Sequence, residues 1–232
     1  MSAQQDIPGR LFDEWPDRYD AWFETPIGAL VKTYESALLI DLLRPESGEL
    51  ILDVGCGTGV FTCDVLARGT HVIGLDISSP MLRQSAQKAK GYSFQAVAGD
   101  MISLPFGREC FDRVFSMTAL EFVEDGQAAV RELLRVAKKG GTVVVTTLNS
   151  LSPWAVRRKQ KAQQGHRLFQ NMIFRSPDEL RALGSSAAEV KTAIHFQKNV
   201  NPVRACEIEM EGQKGNLNTG AFLAARWVKP SN

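Results

Sequence analysis

The sequence predicts an α/β fold in which helices cover both faces of a mostly parallel sheet. Three observations carry this. From Leu50 to Leu148 short apolar runs alternate with helical patterns, as βαβ units do. Those runs are apolar throughout rather than every second residue, so the strands are to be buried on both faces. The first run ends on a glycine-rich turn that opens into a helix, the connection that places a ligand crevice at strand ends.

The elements follow in order. Leu50-Ile51-Leu52-Asp53-Val54 reads as a buried strand, and after the glycine turn a helix runs from about Thr58 to Arg68. Val72-Ile73-Gly74-Leu75 is a second buried strand. Ser78 or Ser79 caps the next helix, with Pro80 at its first position and Leu82, Ala86 and Ala89 recurring at i, i+4, i+7. Tyr92 to Ala98 is a third strand and Phe111 to Met117 a fourth. Gln127 to Lys139 is the clearest helix, because Val130, Leu133, Leu134 and Ala137 make one apolar stripe. Lys138 and Lys139 suit the negative end of its dipole, and Gly140 supplies a left-handed stop. Thr142 to Leu148, rich in valine and threonine, is the fifth strand.

The flanks differ in character. Leu11 to Leu43 reads as two amphipathic helices, the second carrying Leu30, Val31, Tyr34, Leu38 and Leu42. Leu151 to Arg175 is basic and glutamine-rich with helical tendency, and Ser176-Pro177-Asp178-Glu179-Leu180 reads as a capped short helix. Glu189 to Gln197 and Ala221 to Val228 read as two further strands joined by a polar loop. The organisation expected is an N-terminal helical region over residues 1–45 and a main domain over 46–232, with an insert at about 150–185.

Composition narrows the class. The chain has 232 residues, 44% hydrophobic and 23% charged, which fits one sizeable domain and excludes disordered and fibrous classes. A net charge of +1 gives no global field toward nucleic acid or acidic lipid, so neither partner is expected. No basic-then-apolar start suggests a signal peptide, and no apolar run approaches the ~18 residues a membrane span needs. Cys56, Cys63, Cys110 and Cys206 form no C-x-x-C pair, and His71, His166 and His195 are scattered. No metal site and no disulfide framework is expected, and a cytoplasmic monomer or homodimer is.

The chemistry starts at Asp53-Val54-Gly55-Cys56-Gly57-Thr58-Gly59. Glycines on alternate positions let the backbone turn sharply at a strand end with no Cβ to block a ligand. The following helix points its free N–H groups into the same crevice. A dinucleotide fingerprint needs Gly-x-Gly-x-x-Gly, whereas the pattern here is Gly-x-Gly-x-Gly with Val60 next. Asp53 would oppose a pyrophosphate and suits a cationic ligand such as the aminopropyl-carboxylate end of S-adenosylmethionine. Asp76 closes the second strand, where a carboxylate accepts ribose hydroxyls. Asp100 closes the third, where an acid accepts an adenine amine.

Together with these motifs, Gly74-Leu75-Asp76-Ile77-Ser78, Ala98-Gly99-Asp100-Met101, Leu104-Pro105-Phe106, Phe111-Asp112-Arg113-Val114 and Arg131-Glu132-Leu133-Leu134-Arg135-Val136 before Gly140-Gly141 resemble the class I S-adenosylmethionine-dependent methyltransferases. The likeness is to their small-molecule branch, sometimes labelled type 11, and covers Ile51 to Asn149. It implies a Rossmann-like seven-stranded sheet in the order 3-2-1-4-5-7-6, with strand seven antiparallel. It implies that S-adenosylmethionine, leaving as S-adenosylhomocysteine, lies against Gly55, Cys56, Gly57 and Gly59 with its methionyl part. Asp76 would face the ribose, and Asp100 with Met101 the adenine; Tyr19, Asp53, Ile77, Met81, Met117 and Thr118 are further candidates to bind the cofactor. Tyr19-Asp20-Ala21-Trp22-Phe23 resembles the helix that closes over the cofactor.

Other readings compete at each position. Asp53 reads also as a helix cap, and Cys56 and Cys63 as small packing residues. Glu121 reads as a general base and equally as a solvated or capping glutamate. Trp22, Trp154 and Arg158 are candidates to touch an acceptor, although a run such as Arg157-Arg158-Lys159 is more often a wet helix face. His166 carries little. An NAD-linked oxidoreductase and a non-catalytic cofactor-binding partner of the same fold are the rival functions.

Overall fold

The computed structural model describes residues 12–13, 15–184 and 187–231. In chain order the elements are α1 (Pro16–Glu24), α2 (Pro26–Leu43), β1 (Leu50–Val54), α3 (Thr62–Leu66), β2 (His71–Asp76), α4 (Ser79–Lys88), β3 (Phe94–Ala98), β4 (Phe111–Ser116), α5 (Gly126–Val136) and β5 (Ala137–Leu148). After them come α6 (Pro153–Gln163), α7 (Arg167–Gln170), α8 (Pro177–Arg181), β6 (Glu189–Ala193), α9 (Pro202–Lys214) and β7 (Phe222–Val228). The seven strands form one sheet in the order β3-β2-β1-β4-β5-β7-β6, as the resemblance implies. Pairs among β1 to β5 are parallel, and β7 runs antiparallel between β5 and β6.

Alternate residues of the central strands feed two cores. Ile51, Phe115 and Val144 face the layer that includes Leu39, Leu42 and Leu43 of α2, whereas Leu52, Val114, Val143 and Val145 face Val130 and Leu133 of α5. That is why these strands read as unbroken apolar runs. The β1–β4 junction, where the chain reverses its direction of sheet growth, is the topological switch point and opens the crevice.

Four readings of the sequence are corrected. The helix expected over 58–68 is α3, Thr62–Leu66, because Gly55, Gly57 and Gly59 all have positive φ and hold the chain in the turn until Phe61. Pro80 stands second in α4, since Ser78 is the cap that accepts from the Met81 N–H. The helix expected over 127–139 stops at Val136, where Cys110 donates to the Val136 carbonyl and Ala137 already pairs with Phe111. Lys138 therefore ion-pairs with Asp112 at 2.6 Å from a strand, and Gly140, at φ 73°, serves an irregularity in β5. The polar loop expected between the last two strands is α9, capped by Asn201 and started by Pro202, with Ala205, Glu209 and Gly212 on its buried face.

The N-terminal helices are separated by Thr25, whose hydroxyl accepts from the Gly28 N–H at 3.0 Å while Pro26 opens α2. Ser176 and Glu179 form a full capping box at α8. No described helix is long and apolar enough to cross a membrane.

Candidate active site

The glycine turn is built by the sheet beneath it. Gly55 and Cys56 donate to the Leu75 carbonyl of β2, and Gly57 donates to Asp76 Oδ2 at 2.8 Å. A Cβ on Gly55 would collide with the Ala119 Cβ, and one on Gly59 would meet Ser85 at 3.1 Å. A Cβ on Gly57 would point into open space, so this residue lines a cradle that a side chain would fill. Cys56 packs its thiol down toward Gly74, and burial pushes the thiol well up, away from reactivity.

Asp53 lies below the turn, almost fully buried. Thr62 donates to its Oδ2 at 2.6 Å, while Oδ1 has no partner among the described residues. Burial lifts its value to about 7 despite that hydrogen bond. An orphaned carboxylate oxygen beside an open glycine cradle fits a ligand that carries an ammonium group. Asp76 is also buried; it accepts from Gly57 and from the Ser78 N–H at 2.8 Å, and burial raises it. Ile77 is exposed at the same strand end, and Met81 is buried behind it. Asp100 is exposed and turns back on itself, accepting from the Ile102 N–H, with Met101 buried next to it.

The first helix lies across this crevice. Asp20 of α1 accepts from Thr58 at 2.6 Å, from Gln84 at 2.7 Å and from Lys88 at 2.8 Å, and Ser78 donates to Asp13. Phe12 packs edge-on against Phe122. No residue of α1 is fully buried; Trp22 and Phe23 pack against the core on one side while Asp20 supplies the polar contacts on the other. The lid expected over residues 11–25 falls partly on residues 11 and 14, which lie outside the described residues. For 15–25 the expected outcome is slow amide exchange with S-adenosylhomocysteine and fast exchange without it. Equal, strong protection in both conditions would mean that α1 is a permanent part of the core.

Beyond the crevice a second set of groups converges. Glu121, in a 3-10 turn after β4, is 2% exposed and accepts from Thr147 at 3.3 Å. It is therefore neither solvated nor at an open mouth, and burial lifts it to about 7. Arg157 and Lys159 face solvent, but Arg158 turns inward, lies 5.2 Å from the Trp154 ring and leaves Nη1 buried without a partner. Trp22 and Trp154 meet edge to face at 6.5 Å, and Trp154 donates to the Phe196 carbonyl. Tyr19 lies beside Thr118, and burial together with Glu35 raises its phenol far above the ordinary value. Thr118 itself is strained at φ 46°, a backbone state that clusters at functional sites. Met117 is buried next to it. His166 stacks on Phe169.

Glu35 was not legible as a site residue. It is 8% exposed on α2, and burial lifts it to about 8. The available signal was its place on the stripe Val31, Glu35, Leu39, Leu42, where an acid interrupts an apolar i, i+4 pattern. Because the folded value lies above the ordinary 4.5, this stability contribution is complete below about 4.5 and is lost as pH rises through 8. Glu35→Gln should remove that loss, making the variant more stable than wild type at about pH 9 by on the order of 2 kcal/mol more than at about pH 6. Parallel denaturation curves at the two pH values for both proteins would contradict the burial.

A family model described as a methyltransferase domain matches residues 52–145. A demethylmenaquinone methyltransferase of Thermobifida fusca is 36% identical over 144 residues, 61% of this chain and 61% of that protein. The chain thus spans about three fifths of that relative's length. A demethylmenaquinone methyltransferase of Roseiflexus castenholzii is 33% identical over 179 residues, 76% of this chain and 71% of that one. Among solved structures, an S-adenosylmethionine-dependent methyltransferase of Thermotoga maritima superposes with a TM-score of 0.68 at 21% identity, over 96% of this chain and 100% of that one. At that identity the likeness is one of fold.

Proposed function

The chain belongs to the class I S-adenosylmethionine-dependent methyltransferases, and on that premise we propose that it methylates a small-molecule acceptor. The observation that carries the reading is the open Gly57 cradle between an orphaned Asp53 oxygen and the buried carboxylate of Asp76. Gly55, Cys56, Gly57, Gly59 and Asp53 would hold the methionyl end, Asp76 and Ile77 the ribose, and Met81, Asp100 and Met101 the adenine. Met117, Thr118 and Tyr19 would stand on the acceptor side of that nucleoside.

When bound, S-adenosylmethionine supplies a methyl group already activated on a sulfonium. The chain's own task is to align an acceptor and exclude water, which α1 supports by lying across the crevice. Trp22, Trp154 and Arg158 would contact the acceptor, and Glu121, near 7, is suited to take its proton at neutral pH. A pyrophosphate would lie against Asp53, which disfavours the NAD reading. A binding partner without catalysis has no use for a buried acid and an unpaired guanidinium beside its ligand.

The test is incubation with methyl-labelled S-adenosylmethionine and a fractionated cell extract. Label should move into the low-molecular-weight fraction, with S-adenosylhomocysteine formed in step. Label that moves instead into RNA or protein, or none moved at all, would overturn the reading.

A further inference from the structure

We propose that Glu35 is the proton-sharing partner of Glu121, the two carboxyls and Arg158 forming one site that receives the proton of a neutral hydroxyl acceptor. This rests on the methyltransferase reading and adds to it a residue and a class of acceptor.

The geometry is a convergence from three directions. Glu35 enters from α2, Glu121 from the turn after β4 and Arg158 from α6, and the charge of Arg158 acts on both acids. Thr147 donates to Glu121, and Glu35 lies almost fully buried on α2. The other charged or titratable groups facing the pair are Tyr19 of α1 and Arg175 ahead of α8. Arg175 is spent on the Leu120 and Val123 carbonyls, at 2.9 and 3.1 Å. Arg158 Nη1 is left as a buried donor with nothing to donate to.

Two acids and one guanidinium balance when a single proton is shared between the acids. Burial lifts Glu121 to about 7 and Glu35 to about 8, and the Glu121 charge adds to the rise at Glu35. The two acids therefore do not ionise together, and the charge of whichever is ionised holds the proton on the other. A permanent anion would gain little from so balanced a site. A neutral hydroxyl brings a proton the site can take. Its O–H bond would break with the electron pair retained on oxygen, which would bond to the methyl carbon as that carbon's bond to sulfur broke, the pair returning to sulfur and S-adenosylhomocysteine leaving. The proton passes to the ionised carboxylate, leaving both acids protonated. Arg158 Nη1 donates to that oxygen as charge develops on it.

Glu35 is thus a positioning residue, and its test is a titration rather than a rate. Carboxyl carbons of 13C-glutamate-labelled free protein are followed by NMR against pH, with E35Q and E121Q used to assign the two signals. E121Q should carry the Glu35 midpoint down by about one pH unit, because the opposing charge is gone. R158M should carry both midpoints up. A Glu35 midpoint that ignores E121Q, or that lies in the ordinary carboxylate range in wild type, overturns the pair. Phenol should displace both midpoints and benzoate should not; the reverse, or no displacement by either, overturns the acceptor class. Calorimetry with S-adenosylhomocysteine is read separately. E35Q should bind it as wild type does, and failure of wild type to bind contradicts the methyltransferase reading without touching the titration.

Discussion

Asp76→Ala is expected to weaken S-adenosylhomocysteine binding by about one to two decades, or on the order of 1.5–3 kcal/mol, in a protein that stays folded. The carboxylate is already bonded to Gly57 and Ser78 through one N–H each, yet two oxygens offer about four lone-pair directions, so two remain for the ribose. Removing it also frees the two N–H groups and loosens the turn. Asp76→Asn separates these effects, since its one carbonyl oxygen can still accept from the backbone but no charge remains. Thermal denaturation of both variants must accompany the calorimetry. Unchanged affinity in a folded Asp76→Ala protein would mean that the ribose sits elsewhere.

The adjoining glycines should fail in opposite ways. Gly55 sits at φ 74° with the Ala119 Cβ in the path of any side chain, so Gly55→Ala combines left-handed strain with overpacking. Those terms together cost about 2–5 kcal/mol and should appear as a large drop in melting temperature. Gly57 sits at φ 53° with nothing within 4 Å of the added carbon. Gly57→Ala should cost only the strain, about 1–2 kcal/mol, and should lose most of its cofactor affinity because the methyl group occupies the cradle. Equal losses of stability with retained binding in Gly57→Ala would show that the cradle faces something other than ligand.

Much of the fold was legible because its signals are local. Unbroken apolar strand runs, the Ser78 and Ser176 caps and the glycine turn each act within a few residues, and they located most of the elements. Boundaries failed where a tertiary contact overrode propensity. The helix ending at Val136 is cut short by pairing of Ala137 with Phe111, a contact far away along the chain. α9 was missed because its buried face is small and polar, with Glu209 accepting from the His195 backbone and ring rather than packing as an apolar stripe.

The candidate site divides the same way. The residues on the strand ends follow from motif spacing, whereas Glu35, Asp20 and the inward turn of Arg158 depend on which face each helix presents. Nothing in Arg157-Arg158-Lys159 singles out the middle residue. On α2 an acid at the centre of an apolar stripe is the physical anomaly that marks Glu35.

The central claim is that the crevice takes a sulfonium nucleoside and not a dinucleotide. Calorimetric titration of the protein with S-adenosylmethionine, S-adenosylhomocysteine and NAD, under one set of conditions, tests it most directly. Micromolar binding of the first two with no measurable heat from NAD is the predicted result. Binding of NAD in preference to both would contradict it.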